Sequence, residues 1–230
     1  QRELEVLRAE QLAAVGHLAA SVAHEIRNPL TSIKMLVQSG QEPGIEPGQS
    51  SLSKEDLRVI DTEIRRMESS LKTFLDFTRP PKLERRSTVL LTILQEVMGL
   101  VRGRAGQQKV EMQLDIDDEQ IVVMADAEQL RQVVVNLVLN SLDALPRGGT
   151  IVISVATLPD QVQILVQDSG AGIAADMLPR LFQPFSSNKE TGLGLGLVIS
   201  RRIIEDHGGS ISAENATTGG AVFCVRMPRN

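Results

Sequence analysis

The sequence has no tryptophan, no tyrosine and only five phenylalanines. A protein that holds single-stranded nucleic acid needs aromatic rings on which bases can stack. A duplex binder needs a basic face, whereas this chain carries a net charge of −5. Nucleic acid is therefore not an expected partner. Cys224 is the single cysteine, so no internal disulfide can form, and a reducing compartment is the simplest setting. No apolar run approaches the roughly 18 residues that a membrane-spanning helix needs. No basic, apolar, small-residue leader opens the chain. A cytoplasmic location follows as an expectation.

What is present is ordinary globular composition, with 230 residues, 42% hydrophobic and 23% charged. That suffices for one large domain or two small ones. The opening "QRELEVLRAEQL" reads as the middle of a helix, as in a fragment of a longer protein. Val15, Leu18, Val22, Ile26, Ile33 and Leu36 form a helical stripe, with Pro29 filling the gap between the two isoleucines. The segment 39–51, "SGQEPGIEPGQSS", breaks the helix into a loop. A second helix opens at Ser53, a candidate N-cap, and carries Leu57, Ile60, Ile64, Met67, Leu71 and Phe74 at steps of three and four. Pro80 and Pro81 stop it. Two amphipathic helices and one loop make a hairpin that leaves part of each stripe in water. Pairing with a second copy would bury it in a four-helix bundle, so a homodimer through residues up to Arg79 is expected.

The texture changes after Pro81. "VLLTILQEVMGLV" reads as helix, "KVEMQLDI" and "QIVVMAD" as strands, and "DAEQLRQVVVNLVLNSLDAL" as a long helix capped by Asp126. "GGTIVISVATL" and "QVQILVQD" are strands. "LGLVISRRIIEDH" is a helix ending at Gly208–Gly209, and "SISAEN" and "GGAVFCVRMP" are closing strands. Interleaved in this way, they predict a mixed sheet with helices on one face.

Several groups here can carry chemistry. Asn136 and Asn140, four apart, share one helix face, and carboxamide oxygens suit a hard cation such as Mg²⁺. In "DSGAGI", Asp168 ends a strand and can accept a hydrogen bond from an amino group. Gly170 and Gly172 let backbone approach a ligand. Gly192, Gly194 and Gly196 precede a helix, where backbone amides favour phosphates. Between these elements, Phe182 and Phe185 could anchor a loop whose polar stretch from Ser186 to Lys189 has the profile of a lid. Each signal alone is equally a turn, a helix surface or an ordinary loop.

Their order resembles the ATP-binding domain of sensor histidine kinases, a Bergerat-type α/β sandwich shared with type II topoisomerases, heat-shock chaperone ATPases and mismatch-repair ATPases. "NLVLNSLDAL" resembles the N box, "DSGAGI" the G1 box, "LFQPF" the F box and "GLGLGL" the G2 box. The resemblance implies that Asn140 is a Mg²⁺ ligand, that Asn136 lines the phosphate site and that Asp168 reads the adenine amino group. It also assigns Gly170, Gly172, Gly192, Gly194, Gly196, Leu197 and Lys189 to nucleotide binding. Upstream, "AHEIRNPL" resembles the H box. By that likeness His24 accepts the phosphoryl group, Glu25 takes the ring proton while the other nitrogen attacks, and Asn28, one turn on, helps position a water. Pro29 should kink the helix just past His24. His17 lacks an acidic neighbour, and His207 is expected to cap helix carbonyls.

The implied fold class is α+β multidomain: an N-terminal helical hairpin forming a dimeric four-helix bundle, then a Bergerat-type ATP-binding domain. The implied segments are a helical linker at 1–14 from an upstream sensor, a dimerisation and phosphotransfer hairpin at 12–79, and an ATP-binding domain at 82–230. The likeness itself covers 12–79 and 86–228. The implied partners are Mg²⁺–ATP, a second copy, and the receiver domain of a response regulator, whose aspartate takes the phosphate and is also dephosphorylated. The chain would then be the cytoplasmic part of a larger or membrane-bound sensor.

Three positions depart from the pattern. Asp143 stands where many relatives carry a base, and Lys189 is a candidate to compensate it. Leu193 replaces a threonine, and Ala221 a serine or threonine. A Bergerat ATPase, a non-catalytic scaffold and a serine kinase are the rivals. The ATPase and the serine kinase have no use for the pair His24–Glu25, and the intact glycines and asparagines argue against the scaffold. Replacing Pro29 with alanine should shift the ratio of kinase to phosphatase activity. Identical activities in both assays would deny the kink a role.

Overall fold

The computed structural model describes residues 22–23, 25–39, 52–78, 82–184, 186 and 194–229. The described residues fall into two compact units, one holding those up to 78 with 194 and 195, the other holding 82–184, 186 and 196–229.

In the first unit, residues 22–23 and 25–39 are helical (α1) and Lys54–Thr78 forms α2. Ser53 caps α2 as expected. Its hydroxyl accepts the Asp56 amide at 3.1 Å, while the Asp56 carboxylate accepts the Ser53 amide at 2.8 Å and hydroxyl at 2.7 Å. This is a capping box closed by aspartate. The Ser53 hydroxyl, and then its amide, hold the Asp56 carboxyl below its ordinary range. The α2 stripe divides in two. Ile60, Met67 and Phe74 are half-buried, whereas Leu57, Ile64 and Leu71 are 53%, 41% and 46% exposed. Each set repeats every seven residues, so one seam is covered and a second faces water. α1 continues through Pro29, which is buried. Proline has no N–H, so the Glu25 carbonyl lacks the backbone donor that position would supply. The loop expected at 39–51 lies, beyond Ser39, outside the described residues, as does His17.

The second unit is a five-stranded sheet with three helices on one face and a small two-stranded sheet beside it. The small sheet pairs β1 (Arg86–Val89) antiparallel with β3 (Val122–Ala125). The main sheet runs β2 (Val110–Ile116), β4 (Gly149–Thr157), β5 (Gln161–Asp168), β7 (Ala221–Pro228) and β6 (Ser210–Asn215) in that spatial order. Only β2 and β4 pair in parallel. The helices are α3 (Leu90–Gln108), α4 (Ala127–Asp143) and α5 (Gly196–Asp206), with a 3₁₀ turn at Leu178–Arg180. Register sets buried side chains against each other across the sheet: Ile153 opposite Val166, and Val166 opposite Phe223. Leu94, Leu130, Leu137 and Ile204 close the core from above at 0% exposure. Each such side chain contributes about 1.5–3 kcal/mol of burial. None of the helices among the described residues is long and apolar enough to cross a membrane.

The expected elements appear, with two corrections. The first helix of this unit does not end near Val101 but runs to Gln108, and Lys109, placed at a strand start by the sequence, instead ends it in the left-handed conformation at φ 58°. Buried Val97, Val101 and Ala105 hold the helix on the core despite Gly99, Gly103 and Gly106. The strand β1 was not anticipated: its residues Arg86, Ser87 and Val89 are exposed, and only pairing with β3 orders them.

Asp126 holds three segments together. Its Oδ1 accepts the Glu128 and Gln129 amides at 3.1 and 3.2 Å, capping α4, and its Oδ2 accepts the Glu84 amide at 3.1 Å. Its own N–H donates to Nε2 of buried His207 at 2.9 Å, and Nδ1 of that ring lies 2.7 Å from the Ile203 carbonyl at the end of α5. His207 therefore caps a carbonyl, as expected, and also ties α5 to the start of α4. Gly208 at φ +78° and the bonds from Gly209 to Ile204 (2.9 Å) and Gly208 to Glu205 (2.8 Å) complete a Schellman end. Desolvation raises the Asp126 pKa, but the amides of Glu84, Gln129 and Glu128 outweigh it and leave the carboxyl below its ordinary range. A depressed folded-state pKa stabilises above the unfolded value of about 3.9 and is lost as pH falls through the folded one. Asp126→Ala should cost about 1 kcal/mol at pH 7. Calorimetry should find that gap narrowing below about pH 4; a gap unchanged down to pH 2 would exclude the carboxylate as its source.

Candidate functional site

The site in the second unit is assembled where α4, α5 and the loop after β5 meet. Asn136 projects from the middle of α4, half-buried, and its Nδ2 donates to Oγ of buried Ser200 on α5 at 2.9 Å. Gly196 opens α5 directly against it: a β-carbon there would overlap Asn136 Oδ1. The helices can approach this closely only because Gly196 has no side chain. Asn140, one turn further on, is also half-buried. Leu197 lies half-buried in the first turn of α5, and Gly194 precedes it at φ +63°.

Asp168 closes β5 and is 2% exposed. Its Oδ1 accepts the Gly170 amide at 2.9 Å and the Ala221 amide at 3.2 Å. Two backbone donors aim the carboxylate and offset part of the cost of burying it. Ala221, noted as a departure in sequence, contributes through its backbone, where side-chain identity does not matter. A β-carbon on Gly170 would lie 3.1 Å from the Ala144 carbonyl, so the loop after Asp168 rests on the end of α4. Gly172, at φ +79°, would meet Asn215 Oδ1 at 2.7 Å if it carried a β-carbon. Asn215 holds that loop from the end of β6, accepting the Ile173 amide at 2.7 Å and donating to its carbonyl at 2.8 Å.

Asn136 and Gly196 therefore meet at the middle of α4, while Asp168 and Gly170 lie at its C-terminal end. His24, Lys189, Gly192, Leu193 and Phe185 lie outside the described residues. Asp143 is paired with Arg104 of α3 through the guanidinium Nη2, so the compensation expected from Lys189 comes at least in part from α3. Ser200, Asn215 and Arg104 escaped the sequence reading because each works across a long separation. Ser200 alone left a trace, lying four residues after Gly196 on an expected helix.

In the first unit, Glu25 is half-buried on α1 and its Oε2 accepts the Ser70 hydroxyl of α2 at 3.1 Å. Asn28 is exposed. Ser70 was also not singled out from sequence.

Comparison with known proteins agrees with this geometry. Residues 14–82 match the family model of the His Kinase A (phospho-acceptor) domain. Residues 125–230 match that of the histidine kinase-, DNA gyrase B-, and HSP90-like ATPase. Sporulation kinase E of Bacillus subtilis is 36% identical over 99% of this chain and 31% of its own length. The sensor histidine kinase ZraS of Escherichia coli K12 is 35% identical over 98% of this chain and 48% of its own. The chain thus spans half or less of these curated relatives. Among solved structures, histidine kinase ThkA in complex with response regulator protein TrrA has a TM-score of 0.80 at 32% identity, covering 99% of this chain and 66% of that one. The isolated ThkA catalytic domain reaches a TM-score of 0.60 at 34% identity, covering 64% of this chain and 96% of that one. A phospho-acceptor segment followed by an ATPase domain with this site, in a chain that matches such kinases almost end to end, places the protein in the two-component sensor histidine kinase family, as a catalytic core.

Proposed function

We propose that this chain binds Mg²⁺–ATP in the α4–α5 unit and transfers the γ-phosphoryl group to His24. The phosphate then passes to an aspartate of a response regulator, which the same chain also dephosphorylates. The observation that carries this reading is the bond from Ser70 to Glu25. The acid beside His24 is held across the helical pair, and an ATPase that merely drives a clamp has no use for such an arrangement. In the transfer, one imidazole nitrogen of His24 forms a bond to the γ-phosphorus as the bond from that phosphorus to the ADP oxygen breaks. Glu25 accepts the proton from the other ring nitrogen, and ADP leaves. Ser70 keeps the Glu25 carboxylate oriented for that role. Asn28, exposed a turn further along, positions water in the phosphatase reaction.

In the ATPase unit, Asp168 accepts the adenine amino group, with Gly170 and Gly172 allowing the ring to approach. Asn136, Gly192, Gly194, Gly196, Leu197 and Lys189 are the residues that would hold the phosphates. The carboxamide oxygen of Asn140 is a hard donor of the kind Mg²⁺ takes alongside phosphate oxygens. When bound, the ion supplies neutralisation of phosphate charge. The remaining catalysis is positioning.

The domains we assign are a linker at 1–14, the phosphotransfer hairpin at 12–79 and the ATP-binding domain at 82–230, on the cytoplasmic side of a larger sensor. The response-regulator partner is supported by histidine kinase ThkA, solved in complex with response regulator protein TrrA. The exposed seam of Leu57, Ile64 and Leu71, seven residues apart, supports a homodimer through the hairpin.

Incubation with γ-labelled ATP and Mg²⁺ should give acid-labile label on the native protein and none on His24→Ala. Acid-stable label, or label surviving the substitution, would refute histidine transfer. In sedimentation, the native chain should run as a dimer and the double variant Ile64→Asp, Leu71→Asp as a folded monomer. A native monomer, or a variant that stays dimeric, would reject the seam.

A further inference from the structure

Asp143 follows Asn140 by three residues and Asn136 by seven, so the three side chains lie along one stripe of α4. One end of the stripe meets α5, where Asn136 bonds Ser200 and Gly196 leaves room for it. The other end, at Ala144, touches Gly170 in the loop after Asp168. Asp143 thus stands on the rim of the nucleotide site. It adds a full negative charge to the negative end of the α4 dipole, on the ridge that a multiply charged triphosphate would approach.

The answering cation comes from α3. Arg131, paired with Glu96 at 2.9 Å, marks the side of α4 that faces α3. Asp143 lies about 120° around the helix from it, toward the asparagines. Arg104 pairs with Asp143 even so, so the pair links α3 to the stripe that carries the asparagines.

We propose that Arg104 is a nucleotide-positioning residue. Acting through Asp143, it cancels the carboxylate's repulsion of the triphosphate. The proposal rests on the assignment of the α4–α5 unit as the ATP site.

The test is equilibrium binding of Mg²⁺–ATP, ADP and adenosine to the whole chain and to Arg104→Ala, Arg104→Lys, Asp143→Asn and the double variant Arg104→Ala, Asp143→Asn. The pair is partly exposed, so Arg104→Ala should weaken ATP binding by roughly fivefold. ADP should lose less, and adenosine should be unchanged. The loss should shrink at high salt, and Arg104→Lys should retain most of the affinity. Asp143→Asn in the Arg104→Ala background should restore ATP binding to within about twofold of native. Equal affinity of Arg104→Ala and native protein for ATP would overturn the proposal. So would an equal loss for adenosine, or failure of the second substitution to rescue, since a merely structural role moves all ligands together. Native protein that binds no Mg²⁺–ATP would instead sink the assignment of the site itself.

Discussion

The contact on which this structure turns is the meeting of α4 and α5 at Gly196. Any side chain there would collide with the Asn136 carboxamide, and the helices would have to separate. With only a hydrogen at that point, Asn136 can reach Ser200, and both hydrogen-bonding ends of the carboxamide face α5. A polar pair half-buried in this way is tolerated because it is partnered. The far end of the same helix pair is fastened by His207 and Asp126. α5 is thus pinned to α4 at both ends, and the glycine-led start of α5 cannot drift from the asparagines of α4.

The sheet contributes in a different way. Asp168 is the last residue of a strand whose alternate side chains are buried, so its carboxylate points into the helix-covered face rather than to open solvent. Burial of an acid is costly without partners. The partners here are backbone amides from Gly170 and Ala221, supplied by the loop after β5 and by the start of β7. Gly220 makes the second possible, because a β-carbon at its φ of +85° would collide with the Asp168 carbonyl. Glycines at 170, 196 and 220 therefore serve close approach of backbone to a fixed polar group, the general use of glycine at such sites.

In the first unit the controlling feature is a heptad shared between two seams. Ile60, Met67 and Phe74 are half-covered, and the set offset from them by three remains in water. Glu25, beside the proposed phospho-acceptor position, sits at this pairing, bonded to Ser70. The conformation of Glu25 is therefore coupled to the registry of α1 on α2, and any sliding or twisting of one helix against the other changes how that carboxylate is presented. Pro29 weakens the backbone of α1 at the matching point by removing the donor to the Glu25 carbonyl.

Much of this was legible in the linear chain, for local reasons. Caps at Ser53 and Asp126, the stop at Gly208–Gly209 and the strands flanking Asp168 each depend on residues within a few positions of one another, so spacing alone determined them. The box motifs carried the family for the same reason. What the chain could not announce were relations across long separations: the pairing that orders β1, the packing that carries α3 past three glycines, the double role of His207 and the bonds from Ser70, Ser200 and Asn215. Asp143 shows the boundary. Its place on the asparagine stripe follows from helical period and was determined by sequence, but its partner, 39 residues away on α3, was decided by the tertiary structure. Charge complementarity acts through space, and only folding brings those two helices side by side.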